Sequence, residues 1–254
     1  MNHDCSCPTG PIYRHRNKTL LAALSIFVLL SPFFETGGAG DVALAIMASL
    51  LITSCALAVP GSVDKRRMAL VLAGLAVAGH VASALVPGSP ALIVVADILT
   101  SALLCCVIYL VMFRLFRAKS IGSEQVCAGV SVYLLLALVF ARLYHVVQTL
   151  SPGAFVDGAH AKVPTYHDFI YFSFVTLTTV GYGDLVPLQP AVKSLAMLEA
   201  LCGVLYLGIL ISRLTSLYQP ARLEETVEHA VEEALEHHDH REHKATKSPN
   251  THDA

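Results

Sequence analysis

The 254-residue chain has no tryptophan, and Asp, Glu, Lys and Arg make up only 14% of it, against 55% hydrophobic residues. A water-soluble domain of this length cannot cover its surface with so little charge, so a soluble globular protein is excluded and lipid is the solvent for most of the chain. Lys and Arg are absent from the connections 35–41 and 87–90 and from the apolar stretch Ala91 to Phe113. Cysteine is too scattered for a disulfide framework: Cys55, Cys105, Cys106, Cys127 and Cys202 fall in apolar runs, and Cys5-x-Cys7 lacks the second ligand pair of a zinc site. The net charge of -2 says little about partners. No nucleic acid, small-molecule substrate, cofactor or active-site nucleophile is implied.

What is present is a series of uncharged runs. A bilayer core takes about 20 mostly apolar residues per crossing helix. Leu20 to Phe34 and Val42 to Val63 are two such runs. Met68 to Ala96 is cut by Pro87-Gly88-Ser89-Pro90, which turns a chain rather than continuing a helix, so it reads as two crossings, the second running from Ala91 to Phe113. A fifth runs from Val126 to about Leu150 and a sixth from Ser194 to about Leu217. The expectation is an all-α membrane protein with six transmembrane helices per subunit.

Basic residues in short loops stay on the cytoplasmic side. Arg14, Arg16 and Lys18 precede helix one, Lys65 to Arg67 join helices two and three, Arg114, Arg117 and Lys119 follow helix four, and Arg213 and Arg222 follow helix six. The chain is therefore expected to be multi-pass in the cell (plasma or inner) membrane with both termini cytoplasmic. The N-terminus reads as a signal anchor, since Leu29 to Phe34 offers no small-residue cleavage pattern.

The segment Tyr166 to Asp184, between helices five and six, is too short to span. Asp168 can cap a helix start, and Phe169 to Leu177 is apolar enough for a half-helix that enters the membrane and stops. The chain must then return as irregular backbone, which is tolerated at that depth only where it is buried or lines an aqueous path. Gly181 and Gly183 permit conformations that a Cβ forbids, so successive carbonyls can point inward.

Thr179-Val180-Gly181-Tyr182-Gly183-Asp184 resembles the potassium-channel selectivity filter. The chain as a whole resembles prokaryotic-type six-transmembrane-helix potassium channels of the voltage-gated-like superfamily, the match running from about Val126 to Leu217. That resemblance implies a homotetramer in which the carbonyls of Thr179, Val180, Gly181 and Tyr182, with Gly183 completing the run, coordinate K⁺, and the Thr179 hydroxyl closes the innermost site. Asp184 would stand at the outer mouth. Tyr171 and Phe172 would be the aromatic pair of the pore helix, while Val175 replaces a carboxylate that partners the filter aspartate in some members. Gly203, with Gly208 as a second candidate, stands where the inner helix carries its gating hinge, although glycine there also serves close helix packing. Glu199 in helix six reads as a hydrogen-bonded strut behind the pore helix.

Six helices with a pore between the last two also resemble a sensor followed by a pore, yet helix four lacks the arginine array. Arg114 and Arg117 at its inner end are explained by the positive-inside rule, so voltage dependence should be weak or absent. Asp97 pairs with a basic group such as Arg142 or lies near the outer interface, which its position soon after Pro90 favours. His80 is a proton sensor or, more commonly, a neutral hydrogen-bonded histidine. Residues 1–18 form a cytoplasmic N-terminus, 19–119 a four-helix membrane domain, 120–218 the pore domain, and 219–254 a tail. In that tail Leu223, Val227, Ala230 and Ala234 recur at helical spacing among glutamates, followed by a disordered end carrying His237, His238, His240 and His243. The function expected is passive, K⁺-selective conduction. The alternatives are a membrane sensor or scaffold with a non-conducting pore, and an enzyme or carrier on the first four helices, for which Asp97 with His80 is thin support.

Overall fold

The computed structural model describes residues 16–33, 48–54, 63–86, 89–118, 122–157, 163–215 and residue 231. The acidic helix and histidines expected after Pro220, the Cys5-x-Cys7 pair and most of expected helix two lie outside the described residues.

The described residues are almost wholly helical. α1 is Arg16–Leu30, continued by one 3-10 turn, Ser31–Phe33. Residues 48–54 contain a helical stretch, α2. α3 is Val63–Leu85, α4 Pro90–Arg117, α5 Ser123–Leu150, α6 Tyr166–Leu177 and α7 Pro190–Thr215. Three of these, α4, α5 and α7, are long and apolar enough to cross a membrane; α1 and α3 contribute shorter apolar stretches, Asn17–Phe33 and Arg67–Ser83.

Several expected boundaries are corrected. Lys65, Arg66 and Arg67 belong to the first turns of α3 rather than to a loop, because no breaker separates Val63 from the apolar run. α4 starts on Pro90, whose fixed φ suits a first helical turn, and runs one turn past Phe113, so Arg114 and Arg117 are helical. α5 begins at Ser123, before the expected Val126, where Gln125 reaches back to the Gly122 amide at 2.9 Å. α7 also begins a turn early, at Pro190.

α5 is the organising helix. α1, α4 and α6 all pack on it, and α3 packs along α4. Lipid offers no hydrophobic drive between such helices, so close fit and hydrogen bonds must hold them. The fit is visible at Gly79, which sits against Ala96 of α4, and at Gly129, which sits against Leu210. The bonds include Tyr206 Oη to the Gly129 carbonyl at 2.6 Å, and Arg213 to the carbonyls of Phe116 and Ala118 at 2.8 and 3.0 Å.

Two short strands complete the fold. β1, Phe155–Asp157, follows α5; β2, Leu185–Pro187, follows the Thr179–Asp184 loop. They pair antiparallel with Phe155 opposite Pro187 and Asp157 opposite Leu185.

Candidate functional site: the half-helix and its loop

α6 is only 12 residues long, and both of its ends are chemically determined. At the start, Thr165 is the N-cap and Asp168 the third helical residue. The Asp168 carboxylate accepts from the Thr165 amide at 2.6 Å and from its hydroxyl at 2.8 Å. The capping box replaces the expectation that Asp168 itself caps, and moves the start from Phe169 to Tyr166.

One face of α6 is aromatic and buried. Phe169 and Phe172 meet Phe155 at ring distances of 4.8 and 5.4 Å, and Tyr144 meets Phe172 edge-on at 5.1 Å. A polar node sits beside it: Glu199 of α7 is fully buried and accepts from Tyr144 Oη of α5 at 2.6 Å and from Ser173 Oγ of α6. The Ser173 hydroxyl also lies 2.7 Å from the Ala137 carbonyl of α5. One carboxyl thus ties three helices together, in keeping with the strut read from the sequence.

At Leu177 the helix ends and the backbone changes hand. Thr179, Gly181 and Gly183 have φ of 60°, 56° and 79°, while Val180 and Tyr182 between them keep negative φ. In a strand, carbonyls alternate from face to face. When left-handed residues alternate with ordinary ones, that flip is undone and successive carbonyls share a side. The glycines tolerate this freely, whereas Thr179, which is β-branched, is strained there.

The strain is held by hydrogen bonds. The amides of Thr179, Val180 and Gly181 donate back to the Thr176 and Val175 carbonyls at 2.9, 2.9 and 3.3 Å, and Thr178 donates to Phe174 at 3.0 Å. The amides of 178–181 are therefore spent on the last turn of α6. Among the described residues, no amide donates to the carbonyls of Thr179, Val180, Gly181 or Tyr182. Residues 178–184 are exposed in the single chain, Tyr182 to 71%. Exposed carbonyls without internal partners need an external one, water or a cation.

Around the loop, Tyr171 stacks on Tyr182 with the rings nearly parallel, 2° apart, at 6.4 Å. The Tyr171 hydroxyl also hydrogen-bonds Asp184, whose carboxylate accepts from the Leu185 amide at 2.9 Å. The desolvation it does undergo pushes the Asp184 carboxyl up, but these two bonds and one from its own amide outweigh that and hold it below the usual aspartate value. Asp184 therefore has a partner despite Val175, a role the sequence reading did not give to Tyr171. Tyr171 and Phe172, expected as a pair, diverge: the first faces the loop and the second lies in the aromatic core.

Gly203 is buried under the end of α6. A Cβ there would collide with the Leu177 carbonyl and lie 3.0 Å from its Cδ1, whereas a Cβ on Gly208 would meet nothing within 4 Å. Gly203 therefore makes a close packing contact with the end of α6.

Asp97 is buried and pairs with Arg142, the first of the two readings made of it from the sequence. Arg142 and His145 of α5 take its two carboxylate oxygens at 2.5 and 2.6 Å, because both project from one face of α5 a turn apart. His145 had no place in the sequence reading; its i, i+3 spacing from Arg142 was the available signal. His80 pairs with the Thr100 hydroxyl at 3.0 Å, the hydrogen-bonded arrangement.

Residues 130–219 match the family model described as ion channel. The chain is 36% identical over 75 residues to the inward rectifier potassium channel Kirbac3.1 of Paramagnetospirillum magnetotacticum, covering 30% of this chain and 22% of that one. It is 31% identical over 117 residues to a voltage-gated potassium channel of Aeropyrum pernix, covering 37% and 40%, and 50% identical over 77 residues to two-pore potassium channel 1 of Arabidopsis thaliana, covering 30% and 21%. The chain therefore spans less than half the length of each of these curated relatives. Over residues 130–219, which hold α6, its loop and α7, the chain matches the ion-channel family model and is similar to segments of prokaryotic potassium channels.

Proposed function

We propose that four copies of this chain assemble around an axis into a potassium-selective channel, with α6 and the Thr179–Asp184 loop entering and leaving the membrane from the outer side. The observation that carries the reading is the alternation of positive φ at Thr179, Gly181 and Gly183, on a loop whose first three amides are bonded back to α6 while the carbonyls of 179–182 accept from no amide of the described residues. One chain supplies one row of oxygens. A potassium ion stripped of water needs oxygens on every side, and four rows around an axis provide them. The backbone of Thr179, Val180, Gly181 and Tyr182, with Gly183, is the coordinating set; Asp184 marks the outer mouth.

The same reading assigns six membrane crossings, with both termini cytoplasmic and the tail beneath the pore. The first four helices (19–119) form a domain beside the pore unit (120–218). No charge within the Pro90–Phe113 part of α4 is basic, and Arg117 lies with its guanidinium 4.3 Å over the Phe113 ring at the inner end. Gating charges each supply about 2.3 kcal/mol per 100 mV, and without an array of them the current should depend weakly on voltage.

Purified full-length protein in planar bilayers tests this. With KCl concentrations tenfold apart, the current should reverse about 59 mV from zero, and replacing K⁺ with Na⁺ on one side should shift the reversal strongly. No K⁺ current, or reversal indifferent to which cation is present, overturns the channel reading. Steep activation over a few tens of millivolts overturns the statement on voltage.

A further inference from the structure

A buried ion cluster joins the first helices to the base of the half-helix. Asp97 of α4 is 1% exposed, and both of its oxygens are engaged from a single turn of α5. A charged pair at such depth is expensive, and an apolar contact would hold two helices together as well. What the pair adds is register: turning the outer end of α5 breaks one of the two bonds.

The cluster also continues beyond α4 and α5. The Arg142 guanidinium carbon lies 3.9 Å from the ring centroid of Tyr166, the first residue of α6 after its cap. His145 lies against the same ring at 5.6 Å and against Phe169 at 6.2 Å. Behind Asp97, α3 joins through His80 and Thr100, which is one turn along α4 and itself bonded to the Ala96 carbonyl at 2.8 Å. The flat guanidinium touches both the α4 carboxylate and the face of the Tyr166 ring at the start of α6, with His145 beside it bridging the same two elements.

We propose that Arg142 is a positioning residue, which transmits the placement of α4 to the N-terminal end of α6 and thereby sets how often the loop at the other end of α6 is in its conducting form. Glu199 holds the middle of α6 from the α7 side; Arg142 holds its start from the α4 side. The ions pass neither group, so permeation itself is untouched while its occurrence is regulated. The electrical part of this inference rests on the channel reading. The mechanical part does not.

The test combines single-channel recording with amide hydrogen exchange on the full-length protein, for Asp97→Asn, Tyr166→Leu and the double variant. Asp97→Asn leaves Arg142 without its counter-charge and should lower open probability about tenfold, at unchanged unitary conductance and reversal potential. It should also speed exchange at the amides of 166–172 by about tenfold. In the Tyr166→Leu background, where the aromatic seat is gone, the same substitution should change either reading by no more than about twofold. Should Asp97→Asn fail to assemble, Arg142→Lys serves instead, since it keeps the cation for Asp97 but lacks the flat group over Tyr166.

Equal effects of Asp97→Asn in both backgrounds, or faster exchange confined to α4 and α5, overturn the proposal. If the native protein passes no K⁺ but the exchange pattern appears as stated, the channel reading falls and the mechanical link stands.

Discussion

Replacing Gly203 with alanine puts a methyl group into the carbonyl of Leu177, with the side-chain atoms Cδ1 and Cγ only 3.0 and 3.1 Å away. The carbonyl cannot turn aside cheaply. It accepts the Tyr133 hydroxyl at 3.1 Å, and the next residues are pinned by the Thr178, Thr179 and Val180 amides. Overpacking of this kind costs about 1–3 kcal/mol, against which alanine returns roughly 0.5–1 kcal/mol of helix propensity. The net loss of up to about 2 kcal/mol corresponds to a fall in Tm of roughly 4–8 °C for a chain of this size. At Gly208, where nothing lies within 4 Å, alanine should be neutral or slightly stabilising. Thermal melting of the detergent-solubilised protein followed by size-exclusion chromatography, with K⁺ flux from liposomes in parallel, measures both. If Gly203→Ala melts at the native temperature while its gating changes, or Gly208→Ala is the more damaging, α7 bends at these glycines and the packing argument fails.

Gly181→Ala forces a Cβ onto a residue at φ 56° and should abolish K⁺ selectivity or conduction; unchanged permeability ratios would mean that ions take another path. Glu199→Ala leaves the Tyr144 hydroxyl facing a void, while Ser173 keeps the Ala137 carbonyl, and should lower stability by about 1–3 kcal/mol, whereas Glu199→Gln, which can still accept, should lose less; equal losses in melting experiments would contradict the strut. Asp184 is held below the usual aspartate value by bonds to its charged form, so the contact it makes persists above that value and is lost as pH falls through the depressed one. Outer-side acid should therefore impair current only below the ordinary carboxylate range in the native protein, and at higher pH in Tyr171→Phe; identical acid profiles would show that Tyr171 does not stabilise the carboxylate.

The apolar runs and the glycines at 181 and 183 made the helices and the loop legible, because both follow from local chemistry: length against bilayer thickness, and backbone freedom without a Cβ. Glu199 was legible too, since a carboxyl in an apolar run needs donors close by. Other features depend on which residues the packed helices bring together. Thr179 gives no local sign of a left-handed backbone; the carbonyls at the end of α6 impose it. Asp97 with Arg142 was legible as one of two readings, but His145, which takes the second carboxylate oxygen 48 positions away, is brought there only by the approach of α5. The helix ends were blurred for a different reason. Composition marks the apolar part of a helix, while Lys65 to Arg67 and Arg114 to Arg117 prolong the same hydrogen-bonded ladder beyond it.

The short ribbon of β1 and β2 fastens the strand that leaves the Asp184 turn to the strand that leaves α5, so that the excursion from residue 155 to residue 187 is closed at its base. A force applied to the loop is then shared with the end of α5 instead of being absorbed by the loop alone. Such a load would travel along the ribbon as far back as Phe155, whose ring packs against Phe169 and Phe172 of α6.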